Sequence, residues 1–156
     1  MKNNEKGLDN FPALHLENQL CFSLYSLSRR VTQGYTPLLK PLDLTYPQYL
    51  VLLVLWQAVE NKQNNLSVSQ LTTKLKLDTG TVTPLLKRME SKNLLSRTRS
   101  AEDERIVMVA LTDKGMLLRE KAKLIPQTLL CQSSADQQAI FALRDQLQKM
   151  LALLDK

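Results

Sequence analysis

The chain has 156 residues, 44% of them hydrophobic and 23% charged, which is enough apolar material for one packed domain and too much for a disordered chain. Its formal net charge of +6 points to a polyanionic partner. The first ten residues carry no apolar run, and the longest such run, Tyr49 to Trp56, is far too short to span a bilayer. A cytoplasmic protein with no membrane association is therefore expected.

The first predicted element is an amphipathic helix from Leu14 to Gln33. Leu16, Leu20, Leu24, Leu27 and Val31 recur at spacings of four and three, and Gly34 and Pro37 should interrupt the stripe. Thr45 opens the second element: with Gln48 three residues on it forms a capping box, and Pro47 is tolerated in a first turn. The following run, YLVLLVLW, is apolar on all sides. Periodicity leaves a buried strand open, whereas the cap and the leucines favour a buried helix.

Ser67 and Gln70 repeat the capping box, and Val68, Leu71 and Leu75 give a short helix ending near Leu77. Asp78-Thr79-Gly80 reads as a break with a second cap. Val82, Leu85, Leu86 and Met89 mark the next helix, ending near Asn93, with Pro84 making its start irregular. Two short helices joined by a tight turn that contains glycine form a helix-turn-helix. Leu95 to Arg99 and Ile106 to Leu111 then alternate in character around the polar SAEDER stretch, the pattern of a hairpin. The whole reads as a mostly α fold with a small β-hairpin wing, a winged helix-turn-helix.

Thr112 or Asp113 caps a helix carrying Leu118, Ala122, Ile125 and Leu129, which Pro126 should kink or split. A last helix starts at Ser134 or Ala135. Its Ile140, Leu143, Leu147, Met150 and Leu154 alternate spacings of three and four, a seam suited to another helix and read here as a dimerisation surface in preference to intramolecular packing. The expected organisation is one domain over residues 1–156, with a DNA-binding lobe at 45–112 and dimerisation helices at 12–34 and 113–156.

The charge gathers where the helix pair lies. From Ser67 to Ala101 there are seven basic residues and two acids, Asp78 and Glu90, a local net charge of +5. Thr79, Thr81, Thr83, Lys87 and Arg88 fall on or near the exposed side of the second helix. Threonine hydroxyls bond phosphates or base edges, and lysine and arginine neutralise phosphates and release counterions. Lys74 and Lys76 flank from the preceding helix, and Arg97 and Arg99 share one face of the first wing strand. In the wing, Asp103 and Arg105 are two apart, so the carboxylate can hold this or a neighbouring arginine in a bidentate pair and aim it at a narrow A·T-rich minor groove. Each of these residues taken singly also fits an ordinary solvated surface.

Two cysteines, Cys21 and Cys131, stand far apart in the chain. They do not make a disulfide scaffold, and no cysteine or histidine cluster has metal-ligand spacing, so neither a metal nor a cofactor is expected. His15 reads as a cap or packing residue. A cysteine on an apolar helix is more often inert and buried than reactive; reactivity needs a lowered pKa and access. Phenols at Tyr35 and Tyr46 would favour a thiolate if they donated hydrogen bonds to it.

The stretch LKLDTGTVTPLLKRMESKNLLSRTRSAEDERIVMVALTDKG resembles the DNA-binding lobe of MarR-family regulators, including the D-x-R wing at Asp103 and Arg105. NQLCFSLYSLSRR followed by LLKPLDLTYPQYLVLLVLW is similar to the organic-hydroperoxide-responsive (OhrR-like) branch of that family. The resemblance is close over Leu16 to Leu111 and looser beyond. It implies a dimeric winged-helix repressor whose interface is built from the first and last helices. Such a dimer is expected to bind a pseudo-palindromic, A·T-rich double-stranded operator, its recognition helices in successive major grooves and its wings in flanking minor grooves. It also implies that Cys21 is the peroxide-reacting cysteine, that Tyr35 and Tyr46 hydrogen-bond it, and that Cys131 of the other subunit is the resolving cysteine. Other readings are a MarR-type regulator answering another oxidant or a small aromatic ligand, a thiol-dependent peroxidase, and an architectural DNA protein that senses nothing. An enzyme is not expected, because the chain has no C-x-x-C and an enzyme would not need the wing.

Overall fold

The computed structural model describes residues 11–132 and 136–155. It divides into two units, one up to Gly34 and the other from Tyr35 onward.

The first unit opens with short 3-10 turns at Pro12–Leu14 and Leu16–Asn18, and helix α1, Leu20–Leu39, follows. The predicted helix start at Leu14 is therefore six residues early. The reason is local: Asn18 Nδ2 donates to the Pro12 carbonyl at 2.8 Å and Gln19 Nε2 to the Ala13 carbonyl, offering those carbonyls partners outside a helix. The predicted interruption at Gly34 and Pro37 is also corrected, since α1 runs through both. Pro37 lacks one donor, but the turn that contains it carries Leu39, which is fully buried, and Tyr35 and Leu38, which pack against the core.

The second unit holds the core. A 3-10 turn at Lys40–Leu42 ends on Asp43 in the left-handed region, and α2 follows at Tyr46–Glu60. The Gln48 side chain accepts the Thr45 backbone N–H at 3.0 Å, as the capping box requires. The apolar run is helical and inside: Tyr49, Val51, Leu52, Leu55, Trp56 and Ala58 are buried. Each such large side chain contributes roughly 1.5–3 kcal/mol through burial. Strand β1, Asn65–Ser67, leads into α3, Val68–Leu75, where Ser67 Oγ accepts the Gln70 N–H at 3.1 Å and Gln70 Oε1 accepts the Ser67 N–H at 2.8 Å.

Helix α4 spans Thr79–Ser91 and runs unbroken through Pro84. The turn between α3 and α4 is Lys76-Leu77-Asp78, not the glycine-containing break expected from the sequence. Lys76 supplies the left-handed backbone with φ of 53°, and Gly80 sits inside the first turn of α4. Asp78 is the cap, accepting from the Thr81 N–H at 2.8 Å and the Thr81 hydroxyl at 2.7 Å, which frees the helix start from needing glycine in the turn. Val82, Leu85, Leu86 and Met89 face the core, the stripe read from their spacing.

Strands β2, Leu95–Arg99, and β3, Val107–Leu111, pair antiparallel with Arg97 opposite Val109. β1 adds to the far edge of β3, so the sheet order is β1-β3-β2. That third strand was not foreseen: three residues are too few to show alternation, and only the exposed edge of β3 makes them a strand. Thr112 caps α5, Asp113–Ala122, and the chain breaks before α6, Ile125–Gln132, with Pro126 in the first turn of α6. This is the split expected from the proline.

The last helix, α7, spans Gln137–Leu154 with Asp136 as its cap. Ser134 and Ala135, the predicted start, lie outside the described residues. α7 contributes no residue to the core, and Phe141, Leu143, Met150, Leu151, Leu153 and Leu154 are exposed. None of the described helices is long and apolar enough to cross a membrane.

Candidate functional site

The helix pair, the wing and the crevice between them make the candidate site. Thr79, Thr83 and Lys87 follow one another at i, i+4 and i+8, so they share one face of α4, a polar row that flanks the buried stripe. Thr79, Thr81, Lys87 and Arg88 are exposed and Thr83 is half-buried. The Thr81 hydroxyl is engaged with Asp78, and its hydrogen bonds hold the Asp78 carboxyl below the usual range. Thr79 and Thr83 line a crevice of about 340 Å³ together with Ser69 and Thr72 of α3 and Arg97 and Arg105 of the wing. Residues from three elements, 36 positions apart at the extremes, thus face one groove.

The flanking lysines are exposed, and Lys76 forms an ion pair with Asp155, just past the end of α7. At the wing tip Arg105 is almost fully exposed, with 95% of its side chain accessible. Asp103 does not form the bidentate pair expected of it. Its Oδ1 accepts the Arg105 backbone N–H at 2.9 Å, while the guanidinium Nε is 3.9 Å away. The carboxylate therefore shapes the tip through the backbone and leaves the guanidinium free to extend.

The two strand arginines are not equivalent to Arg105. Arg99 donates to the Glu104 carbonyl at 3.0 Å. Arg97 is turned onto Glu90 in the last turn of α4, where Nε and Nη2 both reach Oε2, at 2.9 and 2.6 Å, and the Arg97 backbone N–H reaches Oε1 at 3.1 Å. These hydrogen bonds hold the Glu90 carboxyl below its ordinary range. Sequence reasoning counted Glu90 only as an acid in a basic segment. The pairing has no periodic signature, because Glu90 ends a helix and Arg97 lies in a strand.

The thiol candidates sit on other elements. Cys21 is exposed in the first turn of α1, between Leu20 and Phe22, which are also exposed, and Cys131 is exposed near the end of α6. Both are free. Tyr35 and Tyr46 lie against each other with ring centroids 4.9 Å apart, and Tyr49 follows at 5.8 Å from Tyr35. Burial raises the pKa of both Tyr35 and Tyr46, with the neighbouring Tyr46 adding to the effect on Tyr35. Both phenols therefore stay protonated, as hydrogen-bond donors, throughout the neutral range. No group of histidine, cysteine and carboxylate side chains suited to a metal occurs among the described residues.

A family model described as "Transcriptional regulator SarA/Rot" matches residues 33–122. The chain is 47% identical over 144 residues to the organic hydroperoxide resistance transcriptional regulator of Bacillus subtilis, an alignment that covers 92% of this chain and 95% of that protein. Among solved structures it is similar to AbfR of Staphylococcus epidermidis. Reduced AbfR bound to DNA gives a TM-score of 0.75 at 34% identity, covering 90% of this chain and 95% of that one. The disulfide form of AbfR gives 0.63 at 33% identity, covering 90% and 93%.

Proposed function

Because the chain belongs to the MarR/SarA group of winged-helix transcriptional regulators, we propose that it is a cytoplasmic, homodimeric repressor that leaves its operator when an organic hydroperoxide oxidises Cys21. It acts as a single domain, residues 1–156, and is not an enzyme. The observation that carries the DNA half of this reading is the groove where Thr79 and Thr83 of α4 meet the exposed Arg105 of the wing. In a dimer, two α4 helices enter successive major grooves of a pseudo-palindromic A·T-rich duplex, and the wings reach the flanking minor grooves. Lys74, Lys76, Lys87, Arg88 and Arg99 add charge toward the backbone, which makes binding salt-dependent.

The sensing half is supported by the identity to the hydroperoxide regulator of B. subtilis and by a solved relative found both reduced on DNA and as a disulfide. The Cys21 thiolate attacks one peroxide oxygen and the O–O bond breaks. The alkoxide takes a proton and leaves as the alcohol, and Cys21 becomes a sulfenic acid. The exposed Leu20 and Phe22 offer an alkyl chain apolar surface, which favours an organic hydroperoxide over hydrogen peroxide. The thiol of Cys131 of the other subunit then attacks the Cys21 sulfur, a disulfide forms and water leaves. Protonated phenols at Tyr35 and Tyr46 stabilise the attacking thiolate. Bridging requires the two Cα atoms to come within about 7 Å; if the reduced dimer holds them farther apart, helices must shift, and that shift changes the spacing of the two α4 helices.

The test pairs a non-reducing gel with an operator-binding assay on wild type, Cys21→Ser and Cys131→Ser after treatment with cumene hydroperoxide. Cys21→Ser stays on DNA and uncrosslinked, and Cys131→Ser loses the crosslink. Release of Cys21→Ser to the same degree as wild type overturns the mechanism. Peroxide consumption far beyond one equivalent per chain, with a thiol reductant present, identifies a peroxidase instead.

A further inference from the structure

Arg97 was read from the sequence as a DNA contact, yet its guanidinium is committed elsewhere. Glu90 receives three hydrogen bonds from it, two charge-assisted at 2.6 and 2.9 Å and one from the backbone, so both carboxylate oxygens are used. Only 23% of the Arg97 side chain is accessible. A DNA phosphate would have to displace that carboxylate to reach it.

What the pair does mechanically follows from where its members lie. Glu90 is in the last turn of α4, the helix that carries Thr79 and Thr83. Arg97 is the central residue of β2, paired with Val109 of β3. Two residues further along, Arg99 donates to the Glu104 carbonyl, and Asp103, just before Glu104, fixes the Arg105 backbone just after it. A run of polar contacts thus leads from the recognition helix through the strand into the loop that presents Arg105. The β2–β3 hairpin extends beyond the core at Ser100–Ile106, where its residues are largely exposed, so apolar packing alone does not set its direction.

We propose that Glu90 and Arg97 are positioning residues for DNA binding: the carboxylate of α4 grips the strand arginine and sets the angle at which the wing delivers Arg105. The inference rests on the proposed contact between Arg105 and DNA. It makes a prediction opposite to that of simple charge counting. Glu90→Gln adds one unit of positive charge, so if Glu90 merely repelled DNA, or merely held Arg97 back from a phosphate, the change would tighten binding and steepen its salt dependence.

The test uses the reduced full-length protein and a fluorescent duplex that wild type itself selects from a randomised library. Dissociation constants are read across a salt series for wild type, Glu90→Gln, Arg97→Lys, Arg105→Ala and the two double variants with Arg105→Ala. Glu90→Gln and Arg97→Lys, the latter preserving charge but not the fork, each weaken binding about three- to tenfold at unchanged salt slope. In the Arg105→Ala background neither causes further loss, which a merely structural role would not produce. Three results overturn the proposal: tighter binding by Glu90→Gln, a salt slope reduced by about one in Arg97→Lys, or equal losses with and without Arg105. Wild-type binding by Arg105→Ala removes the wing contact itself, and the inference with it.

Discussion

Trp56 of α2 donates its indole N–H to the backbone carbonyl of Gly115 at 3.0 Å, across 59 positions of sequence and inside the core. Gly115 is in the first turn of α5, and its Cα lies so close to the chain at Leu94 that a Cβ would overlap the Leu94 carbonyl oxygen. The link closes α5 onto α2 and the start of β2, fixing the exit of the DNA lobe. It also explains why a glycine stands in a helix, where it costs roughly 1 kcal/mol relative to alanine.

Gly115→Ala should therefore destabilise the fold despite its better helix propensity, by about 1–3 kcal/mol, because backbone and not a flexible side chain must move. Trp56→Phe loses the donor and leaves a gap where the larger indole stood, so it should cost more than the roughly 1 kcal/mol of the hydrogen bond alone. Urea unfolding of the two variants measures both. An Ala variant as stable as wild type would mean that α5 is not seated against Leu94.

The tyrosine cluster gives a prediction in alkaline solution. Burial raises the pKa of Tyr35 and Tyr46 from 10.0, and burial together with the two neighbouring phenols pushes Tyr49 to about 12. Raised folded-state values mean that the unfolded chain releases these protons first. Stability from this source is complete below pH 10 and falls as the pH rises toward 12. Tyrosinate absorbance should show a late fraction titrating above the ordinary range, and thermal unfolding should move to lower temperature over the same interval. A single early transition would place the three phenols in water.

The exposed seam of α7 predicts the assembly. Leu143 and Met150 are each 41% exposed on a helix with no buried residue, and Phe141, Leu151 and Leu154 are exposed with them. With the exposed Leu27 and Val31 of α1, they supply the apolar area of the proposed dimer. The double variant Leu143→Glu/Met150→Glu should sediment as a monomer, or as a much weaker dimer, and lose operator affinity because the two recognition helices are no longer held together. A stable dimer that still binds DNA would assign the interface elsewhere.

Sequence by itself determined the parts governed by local rules. Thr45 with Gln48, and Ser67 with Gln70, announce two helix starts because a cap needs only residues three apart. The stripe Val82, Leu85, Leu86 and Met89 names the buried face of α4 because helical spacing fixes which side chains align, and the same geometry sets Thr79, Thr83 and Lys87 in a row beside that stripe. Tertiary structure decided what depends on residues distant in the chain. β1 exists because the edge of β3 pairs with it, and α1 passes Gly34 and Pro37 because its last turn, which holds Pro37, contributes Leu39 to the core. Arg97 is paired with Glu90 of another element, while the Arg105 side chain stays almost fully exposed although Asp103 is only two positions away, because packing and not sequence distance decides how closely a cation and a carboxylate meet. Caps and stripes are written within one or two turns of chain, whereas strand edges, core contacts and ion pairs are set only once those pieces have packed.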